Sequence, residues 1–415
     1  MKTLLLNTSD ISGGAARAAY RLHKGLQSAG VACTMLVQDK AGDDPSVIVR
    51  RGRLAKATVA FRPGLDSLAL KFYRSKKPVI FSLACLPDGI GREVALHNPD
   101  IVHLHWIALG FLRLETIRRF RRPIVWTLHD MWAFTGGCHY AGECTKYTGY
   151  CGRCPHLGSN SDRDISRWQI KRKLKVFADI DLTVVAPSRW LADCARESLL
   201  FKDKRIEVIP NGLDTRCFSP MDRRTARKIL SLPQDKKLIL FGAQNSVVDS
   251  RKGFQFFGPT LRRLAENGWS GKAELVVFGS EKPTDSPDLG LKATYLGAFQ
   301  DDISLAVLYS AADVFVLPST QDNLPNVIME ALACGTPCVA FDIGGMPDLI
   351  EHKKNGWLAE PFGAGGLADG IEWVLGDEER NKELSVRARR KVEEEFDLNL
   401  AARKYMDLFT GILSG

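Results

Sequence analysis

The stretch Ser319–Gly345, STQDNLPNVIMEALACGTPCVAFDIGG, joins a polar loop, a short helix pattern and an apolar run. The apolar residues Val314–Leu317 precede it and predict a buried strand. A helix is predicted over Asn326–Ala333, because a proline suits its start and Gly335 suits its end. The next strand is predicted over Cys338–Phe341. The segment therefore predicts a strand–loop–helix–strand unit of an α/β protein.

The same alternation of apolar runs and amphipathic stretches continues over most of the 415 residues. In the first half, strands are predicted at Thr3–Asn7, Ala32–Val37, Ile101–Leu104, Ile124–Leu128 and Leu182–Ala186. A second series is predicted at Leu238–Phe241, Ala273–Phe278, Ala293–Leu296, Val314–Leu317 and Cys338–Phe341. We therefore expect two Rossmann-like, doubly wound domains that bind ligands at the carboxyl ends of their strands.

A linker is predicted at Ile206–Pro220, which contains an Asn-Gly pair and two prolines. We expect an N-terminal domain at 1–205, a C-terminal domain at 206–394 and a final helix at 395–415 that returns to the N-terminal domain. The opening MKTLLLNTSD has too short an apolar part for a signal peptide and is interpreted as a first strand. No apolar stretch is long enough to span a membrane, so a cytoplasmic protein is expected.

Two acids flank the start of the predicted helix: Asp322 lies in the preceding loop and Glu330 lies within the helix. A helix N-terminus presents free N–H groups and a positive dipole end, which suit an anionic or hydroxyl-rich ligand. A carboxylate nearby can accept two hydrogen bonds from a vicinal diol such as a ribose. From the residues alone, solvent-facing acids on a capped helix explain the pair equally well.

The spacing of this acid pair and the run EALACGTP at Glu330–Pro337 resemble the signature of glycosyltransferase family 4. Members of that family are retaining enzymes with the GT-B fold, in which two Rossmann-like domains face each other across a cleft. The resemblance implies that Glu330 binds the ribose and that Asp322 contacts the donor sugar. It also implies that Asn323 and Leu324 help to bind the nucleotide sugar. Asp322 departs from the family, which usually has Glu there, so we expect a different fit of the donor sugar.

A basic turn is predicted at Asp249–Gly253, DSRKG. In the family, a Gly-Arg pair and a later Lys-Gly supply cations to the departing diphosphate. Lys252 matches the lysine, but Ala243 stands where the arginine is usual, and Arg251 is expected to replace it. Fixed cations stabilise a leaving nucleoside diphosphate without a metal, so no catalytic metal is expected. An exposed basic turn before a helix is the simpler alternative.

Gly13 and Gly14 follow the first predicted strand, where glycine lets the backbone approach a phosphate or sugar closely. A plain tight turn explains them equally well. His129 follows another predicted strand, and an imidazole there can hydrogen-bond a sugar hydroxyl. The family resemblance places such a glycine loop beside the donor phosphates and such a histidine near the reacting centre. We expect His103 to be structural, whereas the role of His105 is undecided.

Four of the ten cysteines fall within one loop over residues 136–157: Cys138, Cys144, Cys151 and Cys154. Their density and the closing Cys-Gly-Arg-Cys suit tetrahedral Zn²⁺, with His139 and His156 as spare ligands. Reduced thiols and disulfides are the alternatives, and a reducing cytosol disfavours disulfides. The loop resembles one in a subset of bacterial glycosyltransferases related to colanic acid and exopolysaccharide biosynthesis. A zinc ion here is expected to be structural.

Charge is uneven: residues 1–200 hold 30 Lys and Arg against 17 Asp and Glu, whereas 201–415 hold 27 against 31. The basic residues of the first part cluster at Arg50/Arg51/Arg53/Lys56, Arg74/Lys76/Lys77, Arg118/Arg119/Arg121/Arg122 and Lys171/Arg172/Lys173/Lys175. A solvated helix face explains any one cluster, but four together favour an anionic lipid or a phosphate-bearing acceptor. Nucleic acid is not expected, because interleaved aromatic residues are lacking.

These features together predict a retaining transferase that moves a hexose from a UDP- or GDP-hexose to a saccharide acceptor. The expected acceptor is a lipid-diphosphate-linked oligosaccharide of bacterial exopolysaccharide, capsule or O-antigen synthesis. The protein is then expected at the inner face of the cell membrane, in peripheral contact with anionic lipid. A nucleotide-sugar epimerase of the same fold and a non-catalytic glycan-binding subunit are the alternatives.

Overall fold

The computed structural model describes residues 1–50, 59–73, 80–242, 250–281, 289–299 and 301–415. The chain divides into two compact units, Met1–Gly212 with Asn399–Gly415, and Leu213–Leu398. Both units are α/β and contain one parallel sheet covered by helices. Within the described ranges, no helix combines the length and the apolar character needed to cross a bilayer.

The first unit contains a sheet in the strand order β3-β2-β1-β4-β5-β6-β7, and every described pairing in it is parallel. Its strands are β1 (Lys2–Ser9), β2 (Ala32–Asp39), β3 (Val47–Val49), β4 (Ile101–Leu104), β5 (Ile124–Thr127), β6 (Leu182–Ala186) and β7 (Arg205–Val208). Its helices are α1 (Gly14–Ser28), α2 (Arg62–Asp66), α3 (Ile90–His97), α4 (Leu114–Ile117), α5 (Ile165–Phe177) and α6 (Arg189–Glu197). Short 3₁₀ turns lie at Val59–Phe61, Leu68–Phe72, Trp132–Phe134 and Lys146–Thr148.

The second unit contains a sheet in the order β10-β9-β8-β11-β12-β13, again parallel in every described pairing. Its strands are β8 (Lys237–Gly242), β9 (Ala273–Phe278), β10 (Ala293–Tyr295), β11 (Val314–Leu317), β12 (Cys338–Phe341) and β13 (Gly356–Ala359). Its helices are α7 (Arg223–Ile229), α8 (Phe254–Leu264), α9 (Asp302–Ala311), α10 (Asn326–Ala333), α11 (Met346–Leu349), α12 (Ala364–Leu375) and α13 (Glu378–Glu395). A 3₁₀ turn at Ser250–Lys252 precedes α8.

The last helix, α14 (Leu398–Ser414), belongs to the first unit from Asn399 onward. Its buried face includes Tyr405 and Phe409, which share a core cluster with Val125 and Val185 of the first sheet. The hydroxyl groups of Tyr405 and Thr127 also form a hydrogen bond of 2.7 Å. Burial of these aromatic side chains attaches the carboxyl end of the chain to the first sheet.

The structure confirms the predicted strands of both sheets and the helix Asn326–Ala333. Three strands were missed: β3 and β13 are short strands at sheet edges, and β7 was assigned to the linker. The linker prediction was wrong for residues 206–208, which pair in parallel with β6. Their sequence lacks an apolar run, and none of the β7 side chains is fully buried, because β7 is the edge strand.

Each sheet has a topological switch point, between β1 and β4 in the first unit and between β8 and β11 in the second. Loops that follow the central strands diverge there and leave a crevice at the carboxyl ends of the strands. In the first unit, the glycine pair Gly13–Gly14 and His129 follow β1 and β5. In the second unit, residues 250–253 come after β8 in the chain, and Asp322 follows β11. These residues therefore lie beyond the carboxyl ends of the strands of each sheet, where doubly wound folds usually bind ligands.

Candidate active site

Asp322 contacts both of the basic side chains that are predicted to stabilise the leaving diphosphate. Its Oδ2 lies 2.7 Å from Nζ of Lys252 and 3.4 Å from Nη1 of Arg251. The Arg251 guanidinium also donates to the carbonyl oxygen of Gln321 at 2.9 Å, and the Arg251 carbonyl accepts from the Thr320 N–H at 2.7 Å. The 3₁₀ turn Ser250–Lys252 and the segment after β11 thus bring two cations and one buried carboxylate into direct contact.

The Asp322 carboxylate is ionised in this setting. Burial alone would raise its pKa, but the charges of Lys252 and Arg251 and a hydrogen bond from the Asn323 N–H hold the pKa below its usual value. The Asp322 side chain is only 10% exposed, whereas the cations are 14% and 25% exposed. The cluster therefore keeps a net positive charge that an additional anion can approach.

Two glycines allow these loops to approach each other. Gly253 has a φ of +77°, and a Cβ at this position would stand 1.7 Å from the carbonyl oxygen of Pro318. Gly344 has a φ of +55°, and its Cβ would stand 2.2 Å from the carbonyl oxygen of Asp322. Both positions require glycine because a side chain would separate the backbones that carry the charged cluster.

Glu330 lies on α10 with only 2% of its surface exposed, and its Oε2 accepts a hydrogen bond of 3.0 Å from the Tyr309 hydroxyl. Six of the eight residues of α10 are buried, so the helix and its carboxylate are fixed in the core. Asn323 and Leu324, which precede the helix, are also buried. Sequence reasoning missed Tyr309, since a tyrosine in an apolar helix gives no signal of its hydrogen-bond partner.

In the first unit, Gly13 has a φ of +93° and precedes Gly14, the first residue of α1. The loop before it is held by Asp10, which is 1% exposed and was not predicted. The Asp10 carboxylate accepts from the N–H groups of Ala41 at 3.0 Å and Gly42 at 2.8 Å. This carboxylate fixes the loop before α1, and the N-terminus of a helix suits an anion.

His129 is linked to a second histidine, because its Nε2 lies 2.9 Å from Nδ1 of His105. Burial lowers the pKa of His129 to about 4, against the opposing influence of Asp130, and burial also lowers the pKa of His105. Both rings are therefore neutral near pH 7. His103 is fully buried and its Nε2 bonds Thr127 at 2.8 Å, and burial lowers its pKa to about 3.

The four predicted zinc ligands line one small cavity together, and we call them the cysteine cluster: Cys138, Cys144, Cys151 and Cys154. All four are free thiols rather than disulfides. Of the spare ligands, His139 is engaged through both nitrogens, by Asp130 at 2.6 Å and Ser82 at 2.9 Å. In the part of the chain that the structure describes, no group of three or more His, Cys, Asp or Glu side chains stands ready to hold a metal.

Some predicted features lie outside the described residues. They are Ala243, residues 51–58 with part of the first basic cluster, and residues 74–79 with the second. The arrangement that remains contains two doubly wound units, a cation–carboxylate cluster and a buried carboxylate on the following helix. Together these define an α/β protein that carries charged side chains where doubly wound sheets usually bind their ligands.

The sequence comparisons assign the family. Residues 12–216 match the model described as Glycosyltransferase Family 4, and residues 235–377 match the model described as Glycosyl transferases group 1. The chain belongs to this group of glycosyltransferases, and it is a transferase with the GT-B fold. These matches favour sugar transfer over the epimerase and the non-catalytic binding subunit.

Curated and solved proteins resemble the chain over most of its length. It is 28% identical over 371 residues to the D-inositol 3-phosphate glycosyltransferase of Mycobacterium tuberculosis, which covers 86% of this chain and 70% of the relative. Sucrose-phosphate synthase from Thermosynechococcus elongatus has a TM-score of 0.71 at 20% identity, over 100% of this chain and 99% of that one. Anabaena HepE in complex with UDP and glucose has a TM-score of 0.65 at 18% identity, over 99% and 100%. The two structures share the fold of the chain.

Proposed function

We propose that the chain transfers a hexose, with retention of anomeric configuration, from a UDP- or GDP-hexose to a saccharide acceptor. The observation that carries the proposal is the convergence of Arg251 and Lys252 on Asp322 at the ligand-binding edge of the second sheet. A cluster of this kind neutralises a diphosphate through fixed charges, which suits a leaving nucleoside diphosphate. The UDP and glucose named for HepE support a UDP-hexose as the donor.

In the proposed reaction, Glu330 binds the ribose and Asn323 and Leu324 lie beside the nucleotide sugar. The bond between the anomeric carbon and the diphosphate oxygen breaks, and the diphosphate leaves towards Lys252 and Arg251. An acceptor hydroxyl attacks from the same face, forms the new glycosidic bond and gives its proton to the leaving phosphate. Asp322, which holds the two cations, and neutral His129 orient the donor sugar. Gly13 and Gly14 supply backbone N–H groups near the donor phosphates.

Donor binding is tested by thermal unfolding of the full chain with UDP, GDP, UDP-hexoses and GDP-hexoses. A ligand at 100 times its Kd adds about 2.7 kcal/mol of stability. For a unit of this size that free energy raises Tm by roughly 5–10 °C. Inorganic phosphate at equal concentration is the control for a generic anion effect. If no nucleotide or nucleotide sugar raises Tm at millimolar concentration, the proposed donor class is wrong.

We further propose that the acceptor is a lipid-linked oligosaccharide of bacterial surface polysaccharide synthesis, reached from an anionic membrane surface on the cytoplasmic side. Residues 59–73 support this, because they expose an unusual set of apolar side chains: Phe61 at 70%, Leu65 at 53%, Leu68 at 50% and Phe72 at 89%. Basic residues of the sequence flank this patch on both sides, at 50–56 and 74–77. Exposed aromatic residues beside Lys and Arg suit a bilayer interface with negative headgroups.

Membrane contact is tested by co-sedimentation with vesicles of phosphatidylglycerol and phosphatidylcholine. We expect binding that rises with the anionic fraction and falls with salt, since screening weakens attraction to the headgroups. Phe72→Ser should weaken binding about tenfold by removing apolar area from the interface. Phe362→Ser, at an exposed position in the other unit, is the matched control. Equal binding to neutral and anionic vesicles, or none to either, contradicts the proposal.

A further inference from the structure

His105, which directly follows β4, is a buried histidine that the proposed reaction does not use. Its backbone N–H donates to the carbonyl oxygen of Leu6 at 2.9 Å, and its carbonyl oxygen accepts from the indole N–H of Trp126 at 3.0 Å. The ring of His103 packs against its ring, with the two ring centres 4.3 Å apart. Backbone hydrogen bonds and burial therefore fix the position of the His105 imidazole.

The imidazole of His105 contacts the imidazole of His129 directly. Nδ1 of His105 lies 2.9 Å from Nε2 of His129, and the ring centres are 5.2 Å apart with an angle of 29° between the ring planes. Burial lowers the pKa of both rings, so each is neutral near pH 7. In a hydrogen bond between two neutral imidazoles, one nitrogen donates and the other accepts. The position of one proton therefore sets the tautomer of both rings.

The second nitrogen of His105 indicates where that proton lies. Nε2 of His105 is buried, and among the described residues no group forms a hydrogen bond with it. A buried N–H without an acceptor is rarer in folded proteins than a buried acceptor without a donor. The proton of His105 therefore lies on Nδ1, which donates to Nε2 of His129. His129 then carries its own proton on Nδ1.

The neighbouring ring of His103 is consistent with this assignment. Its Nδ1 is buried and has no hydrogen-bond partner in the part of the chain that the structure describes, whereas its Nε2 lies 2.8 Å from Oγ1 of Thr127. A proton on Nε2 donates to Thr127, whose hydroxyl donates in turn to Tyr405 at 2.7 Å. With His103 protonated on Nε2 and His105 on Nδ1, both ring N–H groups have an acceptor.

We propose that His105 is a positioning residue that holds His129 in the Nδ1-protonated tautomer, so that His129 donates a hydrogen bond to an oxygen of the donor sugar. The substrate in this inference rests on the proposed function, but the tautomer is a property of the chain without substrate. Nε2 of His129 is occupied by the proton of His105, and Nδ1 already carries a proton. His129 therefore orients the sugar and does not take the proton of the acceptor hydroxyl, which goes to the leaving phosphate.

The tautomer is tested by ¹⁵N NMR of the full chain, deuterated, labelled with ¹⁵N only in histidine and measured without substrate near pH 7. His129→Gln identifies the signals of His129 by their loss. We expect the shift of a protonated nitrogen for Nδ1 of His129 and that of an unprotonated nitrogen for Nε2. The reverse pattern, or two protonated nitrogens, overturns the proposal.

Two substitutions of His105 test its role in turnover. The amide of His105→Asn reaches the position of Nδ1, whereas the longer side chain of His105→Gln carries its amide to the position of Nε2. We expect His105→Asn to keep the His129 tautomer and most of kcat. His105→Gln should lose that tautomer and lower kcat about 10- to 100-fold, because a misplaced group costs turnover, with a smaller change in donor KM. His97→Gln, on α3 of the same unit, is the matched control and should change neither.

These measurements separate failure of this inference from failure of the proposed function. A wild-type chain that transfers no hexose contradicts the proposed function, and the NMR spectrum still decides the tautomer. A chain that transfers hexose, with His105→Gln retaining the tautomer and kcat of the wild type, overturns the role of His105 and leaves the proposed function intact. If His105→Gln does not fold, the wild-type spectrum and the His105→Asn variant decide the matter.

Discussion

Replacing Lys252 by Ala is expected to lower kcat about 100- to 1000-fold, the usual effect of removing one preorganised charge from a developing anion. The reason is geometric: its ammonium lies 2.7 Å from Asp322 at the carboxyl edge of the second sheet, and the leaving diphosphate is proposed to depart there. The donor KM should rise less than kcat falls, because the charge on the leaving group is greatest in the transition state. Steady-state kinetics with the donor identified by thermal unfolding measures both constants.

Lys382→Ala is the matched control for this variant. Its side chain is 62% exposed on α13 of the same unit, where it pairs with Glu379, so its removal changes net charge equally. We expect unaltered kinetics from it. A Lys252→Ala enzyme that keeps the fold and retains kcat within threefold of wild type would show that this lysine does not face the leaving group.

The sequence predicted the fold well because the central strands of both sheets are buried on both faces. Apolar runs such as Ala273–Phe278 and Val314–Leu317 are buried on both faces, so composition alone marks them. Edge strands give a weaker pattern, and β7 has the sequence Arg-Ile-Glu-Val, whose charged residues resemble a linker. The pattern shows which segments are buried, but it does not show which polar segments pair at a sheet edge.

The contacts among the predicted site residues were not foreseen from the sequence. Lys252 and Asp322 were assigned to different parts of the donor, yet they form one ion pair across 70 residues of sequence. Tyr309 and Asp10 were missed because their partners are long-range or backbone groups that leave no local signal. Lys173 was counted as part of a basic surface cluster, and this was wrong, since it is fully buried. The sequence of a helix does not show which face is buried unless the neighbouring elements are known.

Asp322→Asn is expected to have the second large effect, on both stability and turnover. The amide keeps the shape of the side chain but leaves Lys252 and Arg251 beside each other without their shared anion. Removing one partner of a buried ion pair typically costs about 3–5 kcal/mol, and the partial exposure of both cations reduces this to about 2 kcal/mol. Turnover should also fall, because Asp322 no longer holds the two cations together. Denaturant unfolding and steady-state kinetics of the full chain measure the two effects.

The pH dependence of the stability difference gives a sharper test of the Asp322 ion pair. The folded-state pKa of Asp322 is depressed, so its stabilisation is complete above the unfolded pKa of about 4 and is lost as pH falls through the folded pKa. The difference between wild type and Asp322→Asn should therefore be constant from pH 7 to about 5 and should shrink below about 4. Asp369→Asn, in an exposed pair with Arg263, should change stability by less than about 1 kcal/mol at any of these pH values. A difference that grows on acidification would mean that the Asp322 carboxyl is protonated in the folded protein, and the cation cluster would then have no anion at its centre.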